Sequence, residues 1–459
     1  MKSADNHPAT GSGGAPLTWP EGFLWGVSTS SYQIEGAAKE DGRGPSVWDL
    51  HCRQKDRVAN GDTGEVACDH YHRYPEDVTL MKDIGIGAYR FSVAWPRVLP
   101  RGRGAANGKG LDFYDRLLDK VLEAGIEPWL CLYHWDLPQG LNEMGGWLNR
   151  DIAGWFADYT ALVARRYGDR VKRFATFNEP SVFTIFGYGL GWNAPAIADR
   201  AALLKSVHHV NLAHGAAVDV VRSLVPDVSI GAVHNCQPVV PERDTPEDKQ
   251  AAEILDEYWN YAYPDPQCLG VYPPYLAEAI EPYTQPGDMA RICRPVDWFG
   301  LNHYSPIYAR GDGETPLGFR WGDAPPGVPR SDIGWPFVPD AFRAELVRLH
   351  KRYRLPIYVT ENGTGGGDTL DETGNIDDQH RIRYLDAYTR KMHEAIAEGA
   401  DVRGYFVWSL LDNFEWGSGY VQRFGLVHVD YETQKRTMKG SGRWYQALIK
   451  SSRKVMESA

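Results

Sequence analysis

Eight short runs of apolar, β-branched and aromatic residues, bounded by turn residues, punctuate the chain at 23–28, 88–95, 127–134, 174–178, 228–235, 298–304, 357–360 and 404–409. Runs of that length and composition predict β-strands. Between them, apolar positions recur with the helical period in stretches such as 111–124, 151–167, 201–224, 339–353 and 378–398. Strands that alternate with helices imply a parallel sheet with crossover helices, either open and doubly wound or closed into a barrel.

The residues at the ends of these runs favour closure. Trp95, His134 with Trp135, Asn178 with Glu179, Asn302 with Tyr304, Glu361, and Trp408 are all side chains able to contact a ligand. A barrel gathers its strand ends on one face, where the active sites of that fold lie, whereas an open sheet converges only two or three. The reading is therefore an α/β fold, a single (β/α)8 TIM barrel with long rim loops spanning 17–459, behind a disordered lead at 1–16. Its 459 residues suit one such barrel with insertions. The Gly- and Pro-rich stretch 311–334, which has no periodicity, is read as a rim insertion.

Composition narrows the class of ligand. A formal charge of -11 without basic stripes speaks against nucleic acid, which needs cations to neutralise phosphates. No apolar run approaches the ~20 residues that span a bilayer, and the first residues have no apolar core of a signal peptide, so a cytoplasmic protein away from the membrane is expected. Sixteen Trp and 25 Tyr suit stacking on the C–H faces of sugar rings as well as core packing. The six cysteines lie far apart without finger-like spacing, so they read as buried free thiols, with no metal and no cofactor implied. His70 and His72, and His208, His209 and His214, lack the i, i+4 spacing with an acid that helix metal sites use, and are expected to be structural. Gly187 to Gly191 lacks the glycine spacing of a nucleotide loop and is expected to shape the rim, and no Gly-x-Ser-x-Gly elbow offers an acyl nucleophile.

Two carboxylates carry the chemistry. Glu179 follows Phe177-Asn178 and precedes Pro180, and Glu361 precedes Asn362-Gly363, each at the end of a predicted strand. Either acid alone reads as the first solvated residue of a loop. Together, on strands four and seven, they face each other across a barrel mouth, the pair that hydrolysis of a glycosidic bond requires. The apolar surroundings of Glu179 would raise its pKa, whereas Glu361 needs a cation or donors to stay ionised, and Arg90 and Tyr304 are the candidates.

Several longer motifs fall in order around these residues: Phe23-Leu-Trp-Gly-Val-Ser-Thr-Ser-Ser-Tyr-Gln-Ile-Glu-Gly36, Asp69 to Asp77, Tyr89 to Arg97, Tyr133-His-Trp-Asp-Leu-Pro138, Thr176-Phe-Asn-Glu-Pro180, Val359-Thr-Glu-Asn-Gly363, Trp408-Ser-Leu-Leu-Asp-Asn-Phe-Glu-Trp416 and Arg423 to Asp430. Through them the chain resembles glycoside hydrolase family 1, the β-glucosidase family, from Phe23 to about Tyr445. The resemblance implies a retaining β-glucosidase with Glu179 as acid/base and Glu361 as nucleophile. It also implies a sugar subsite of Gln33, His134, Asn178, Trp408, Glu415 and Trp416, with Asn302 and Tyr304 near the nucleophile. Trp135 and Phe424 in the matched motifs join the substrate-binding set, Arg90 supports the nucleophile, and Trp192 and Trp335 in rim loops fall to the aglycone side. Glu415 would repel a 6-phosphate, so the expected partner is an unphosphorylated small-molecule β-glycoside.

In one departure, His303 stands where the family usually has Tyr; alternation along the strand points it at the helices, away from Asn302 and Tyr304. The alternatives are a broader glycosidase that also takes galactosides or fucosides, a mainly transglycosylating enzyme, and a silent sugar-binding barrel. The sequence leaves room for a homo-oligomer.

Overall fold

The computed structural model describes residues 17–311 and 315–457, so the lead expected at 1–16 lies outside the described residues. Eight parallel strands close into a barrel: β1 (Leu24–Ser28), β2 (Ala88–Ser92), β3 (Glu127–Cys131), β4 (Arg173–Asn178), β5 (Ser229–Asn235), β6 (Trp298–Asn302), β7 (Ile357–Asn362) and β8 (Val402–Trp408). Each pairs with its neighbours in sequence, and β8 closes on β1 with Leu24 opposite Gly404 and Ser28 opposite Trp408.

The crossover helices cover the outside: α1 (His70–Ile84), α2 (Gly108–Glu123), α3 (Ile152–Tyr167), α4 (Arg200–Leu224), α5 (Pro246–Asp256), α6 (Pro339–Tyr353), α7 (Gln379–Ala397) and α8 (Gly440–Glu457). Helix α2 shows the logic, burying Leu111, Phe113, Tyr114, Leu117, Leu118 and Val121 at helical spacing. At the start of α4, the Asp199 side chain accepts from the backbone N–H of Ala202 at 2.6 Å, an N-cap that satisfies one orphan donor. No described helix is long and apolar enough to cross a membrane.

The lower barrel is plugged rather than hollow. Trp129 packs against Trp298, Tyr358 and Phe406 at ring distances of 5.1, 4.7 and 5.2 Å. Neighbouring strands make room with small residues, since a Cβ on Gly231 would lie 2.5 Å from the Trp298 ring. Such layering of inward side chains is how an eight-stranded barrel fills its core, and it leaves only the upper mouth for chemistry.

The pairing register slips between Ala175 and Asn178 on β4, and on β7 between Ile357 and Tyr358 and again between Val359 and Glu361. Irregularities of this kind re-aim side chains, and here they precede the two acids. Gly363 is needed just beyond, because a Cβ there would sit 2.0 Å from the carbonyl oxygen of Trp408.

Trp95 departs from the expected pattern. Strand β2 stops at Ser92, and Trp95 opens a short helix, fully buried, with its Nε1 donating to Gly102 O at 3.0 Å and its ring stacked on Tyr159. It is core, not mouth. Of the 311–334 stretch, residues 312–314 lie outside the described residues, and the part that includes Arg320–Trp321 lies at the rim, pairing with Ile307–Arg310, which pairs with Val239–Pro241 in a small outer sheet.

The long loop after β8 is fastened by buried charge. Lys439 bonds Asp368 and, at 2.6 Å, Asp412; Arg381 bonds Asp368 at 2.8 Å; and Arg423 bonds Asp412 at 2.8 Å. Every carboxylate in this cluster has a cation, as groups removed from water require. The loop bearing Glu415 and Trp416 is thereby held to the barrel.

Candidate active site

A cleft of about 460 Å³ opens at the C-terminal ends of the strands. That volume is ample for a small saccharide. His134, Trp135, Glu179, Tyr304, Trp335, Glu361, Trp408, Glu415, Trp416 and Phe424 line it.

Glu179 and Glu361 meet across its floor, 5% and 3% exposed. The Glu361 carboxylate accepts from Arg90 Nη1 at 2.8 Å through Oε1 and from the Tyr304 hydroxyl at 2.7 Å through Oε2. Glu179 Oε1 accepts from Asn302 Nδ2 at 2.9 Å and Asn235 Nδ2 at 2.8 Å. Asn302 Nδ2 also donates to Asn178 Oδ1 at 3.0 Å, and that oxygen takes Arg90 Nη2 at 2.5 Å. One continuous array thus joins both acids through Arg90, Asn178 and Asn302.

Their environments differ. Burial, reinforced by the negative charge of Glu361, pushes Glu179 up to about 8, although Asn302 and Asn235 act against the rise. Burial raises Glu361 too, but the Arg90 guanidinium and the Tyr304 phenol pull it back, whereas Glu179 is restrained only by Asn302, Asn235 and the Arg90 charge. His134 stays neutral, held well below its usual range by burial and the charge of Arg90. Its Nε2 lies 3.0 Å from Asn178 Nδ2, which makes it the acceptor and puts the ring hydrogen on Nδ1.

Three of these residues sit in the left-handed region: Trp135 at φ 76°, Glu179 at φ 47° and Trp416 at φ 52°. Side chains other than glycine occupy it at a cost that the surroundings must cover, and such strain gathers at functional sites. Trp135 is pinned by its Nε1 bond to Asn178 O at 2.9 Å and by packing on Trp416 at 4.5 Å. Trp408 Nε1 donates to Glu415 Oε1 at 3.1 Å, and burial and the charge of Glu361 raise the Glu415 carboxyl.

Gln33, Arg90, Asn178 and Asn302 are buried beneath the floor. Gln33 Oε1 accepts from Ser30 Oγ at 2.6 Å, and Gln33 Nε2 donates to Asn413 Oδ1 at 3.0 Å and Phe414 O at 2.9 Å, so the amide braces the loop after β8. Trp335 and Phe424 pack on one side of the mouth with Tyr304. Trp192 does not line the cleft. It is 55% exposed and stacks behind Phe186, which does. His303 turns outward onto Phe342 and Tyr388.

The opposite wall holds residues that the strand pattern does not single out: Phe186, Asn235, Gln237, Trp259 and Trp321. Asn235 ends β5 as Asn178 and Asn302 end β4 and β6, so position alone could have marked it. Phe186 and Trp259 sit in π-helical turns, Ile185–Gly189 and Glu257–Tyr261, a form found at functional sites that leaves no simple periodic trace. Among the described residues no group of three His, Cys, Asp or Glu is placed to hold a metal ion. The histidines outside the cleft bond internally, His70 to Asp77, His208 to Asp288 and His214 to Thr176.

The glycosyl hydrolase family 1 model matches residues 16–454. β-Glucosidase A of Thermotoga maritima is 44% identical over 95% of this chain and 98% of its own length. The 1,4-β-D-glucan glucohydrolase of Thermotoga neapolitana is 44% identical over the same shares. The solved structure of the Thermotoga maritima β-glucosidase in complex with glucoimidazole superposes with a TM-score of 0.90 at 43% identity, covering 95% of this chain and 99% of that one.

Proposed function

The chain belongs to glycosyl hydrolase family 1, and on that premise we propose a retaining β-glucosidase that removes terminal glucosyl residues from short β-glucosides, cello-oligosaccharides and aryl glucosides among them. The observation that carries the reading is the pair of buried acids in one hydrogen-bond array with opposed surroundings. Glu361, kept ionised by Arg90 and Tyr304, attacks the anomeric carbon; Glu179, protonated, gives its proton to the departing oxygen. Esterification then removes the Glu361 charge that held the Glu179 pKa up. The acid becomes a better base just when a water must be deprotonated to release the sugar. The amide of Asn302 acts on both carboxyls, which favours the short spacing of direct attack.

Trp408 and Trp416 supply a flat apolar face, Glu415 an acceptor for sugar hydroxyls, and the Nδ1–H of His134 a donor to them. The names of the relatives, β-glucosidase and glucan glucohydrolase, favour glucoside hydrolysis over the galactoside, fucoside and transglycosylation alternatives. A cytoplasmic location is supported by six cysteines that are all unpaired, four buried and two half-buried.

The test is a panel of aryl β-glycosides and cello-oligosaccharides with product anomers followed in time. The first-formed glucose should be the β-anomer, and an α-anomer would refute retention. A 6-phosphoglucoside should be cleaved more slowly than its parent, and the reverse would overturn the role of Glu415. The pH dependence of kcat/KM should be bell-shaped. Activity falls as pH drops through the ionisation that protonates Glu361, and falls again above about 8 as Glu179 loses its proton. An alkaline limb below pH 6 would contradict that order.

A further inference from the structure

The support of Glu179 is built from the wall of the cleft that faces away from the sugar subsite. Asn235, 5% exposed, turns its Nδ2 to Glu179 Oε1, while its Oδ1 accepts from Gln237 Nε2 at 2.5 Å and Trp259 Nε1 at 3.2 Å. Two donors on one oxygen fix which end of the amide is which. A flip would bring N–H groups against N–H groups and leave the carboxylate facing an acceptor. Gln237 is itself held at both backbone groups by Asn260, whose Oδ1 accepts from its N–H at 3.0 Å and whose Nδ2 donates to its carbonyl oxygen at 2.8 Å. Asp256 Oδ1 in turn accepts from Asn260 Nδ2 at 2.6 Å. The end of β5 is thereby clamped to the π-helical turn Glu257–Tyr261.

Asn235, Gln237 and Trp259 also line the cleft beside Phe186 and Trp321, where a leaving group would stand. We propose, on the reading of Glu179 as the acid, that Gln237 and Trp259 are positioning residues. They orient Asn235 so that its amide holds the Glu179 carboxyl at the scissile oxygen. A neutral contact wall would need only the apolar faces of Phe186, Trp259 and Trp321. The chain of donors running from Gln237 and Trp259 through Asn235 to the carboxylate is what that role leaves unexplained.

The direction of the effect follows from the groups facing Glu179. These are Glu361 from β7, Arg90 from β2, the Tyr304 phenol after β6 and neutral His134 after β3, with Asn302 as the second donor. None of them changes when the clamp is cut. A donor to a carboxylate favours its ionised form, so weakening Asn235 raises the pKa of Glu179 and moves the alkaline limb of activity to higher pH.

Gln237→Met and Trp259→Phe each remove one N–H donor and keep most of the shape. In both, kcat on a glucoside with a poor leaving group is expected to fall about tenfold, and the alkaline limb of kcat/KM to rise by roughly half a pH unit. The acid limb should stay, and the glycosylation step with an activated aryl glucoside should change little. Thermal midpoints recorded alongside identify a folding defect in either variant, and the other then decides. An unmoved alkaline limb in both variants, or a rise in KM alone, would reduce Gln237 and Trp259 to leaving-group contacts and overturn the proposal. If Glu179→Ala shows no leaving-group dependence, the acid reading itself fails and the clamp falls with it. If Glu179→Ala shows that dependence and the clamp variants do not, only the clamp falls.

Discussion

Replacing Glu361 by alanine is expected to abolish turnover, lowering kcat by about 10⁵-fold, the scale seen when an enzyme loses its nucleophile and equivalent to about 7 kcal/mol of barrier. The reason is specific to this site. Arg90 and the Tyr304 hydroxyl both end on this carboxylate, and without it neither group can form a bond to the anomeric carbon. The deletion leaves the buried guanidinium with only Asn178 Oδ1 and the Cys131 sulfur as partners, so some stability is lost as well. Glu361→Gln keeps the volume and an acceptor for Arg90 and should be as inactive, which separates chemistry from packing. The measurement is initial rate on an activated aryl β-glucoside, with thermal unfolding as the control for folding. Azide offers a second check, because in the alanine variant it must attack the substrate directly and should yield the inverted, α-configured glycosyl azide. Near wild-type turnover in either variant would remove the nucleophile assignment.

The barrel was legible because each strand is a compact apolar run stopped by turn residues, and because its pleat brings the polar group at each end to the same rim. Asn178, Glu179, Asn302 and Glu361 could be read in this way, since one strand position decides where they point. Trp95 could not. Its run continues past Ser92 in composition, but the chain bends there into a helix that turns the ring into the core. The leaving-group wall was hidden for a different reason. Phe186 and Trp259 come from π-helical turns and Trp321 from the Gly- and Pro-rich rim, so no period in the sequence announces them. Gln33 lies in its motif and Trp192 in its loop as the chain order puts them. Only packing reveals that one braces the loop after β8 and the other backs Phe186.

Glu179→Ala should fail selectively, and the selectivity is the evidence. With an alkyl glucoside or cellobiose the departing oxygen is a poor leaving group, and loss of the proton donor should lower kcat/KM by about 10²- to 10⁴-fold, the usual contribution of general acid catalysis. With a dinitrophenyl glucoside the leaving group departs unaided, so the glycosyl-enzyme still forms at close to its normal rate. It then accumulates, because the same residue is the base that would activate water. A burst of phenolate followed by slow steady turnover is the expected trace. Glu179 is the right residue for both duties because its pKa depends on the charge of Glu361, which is present before attack and absent in the intermediate. Azide added to this variant should intercept the intermediate and give the β-configured glycosyl azide, the opposite anomer from that expected of Glu361→Ala. Equal losses on both kinds of substrate, or the same anomer from both variants, would show that the two carboxylates do not divide the reaction in this way.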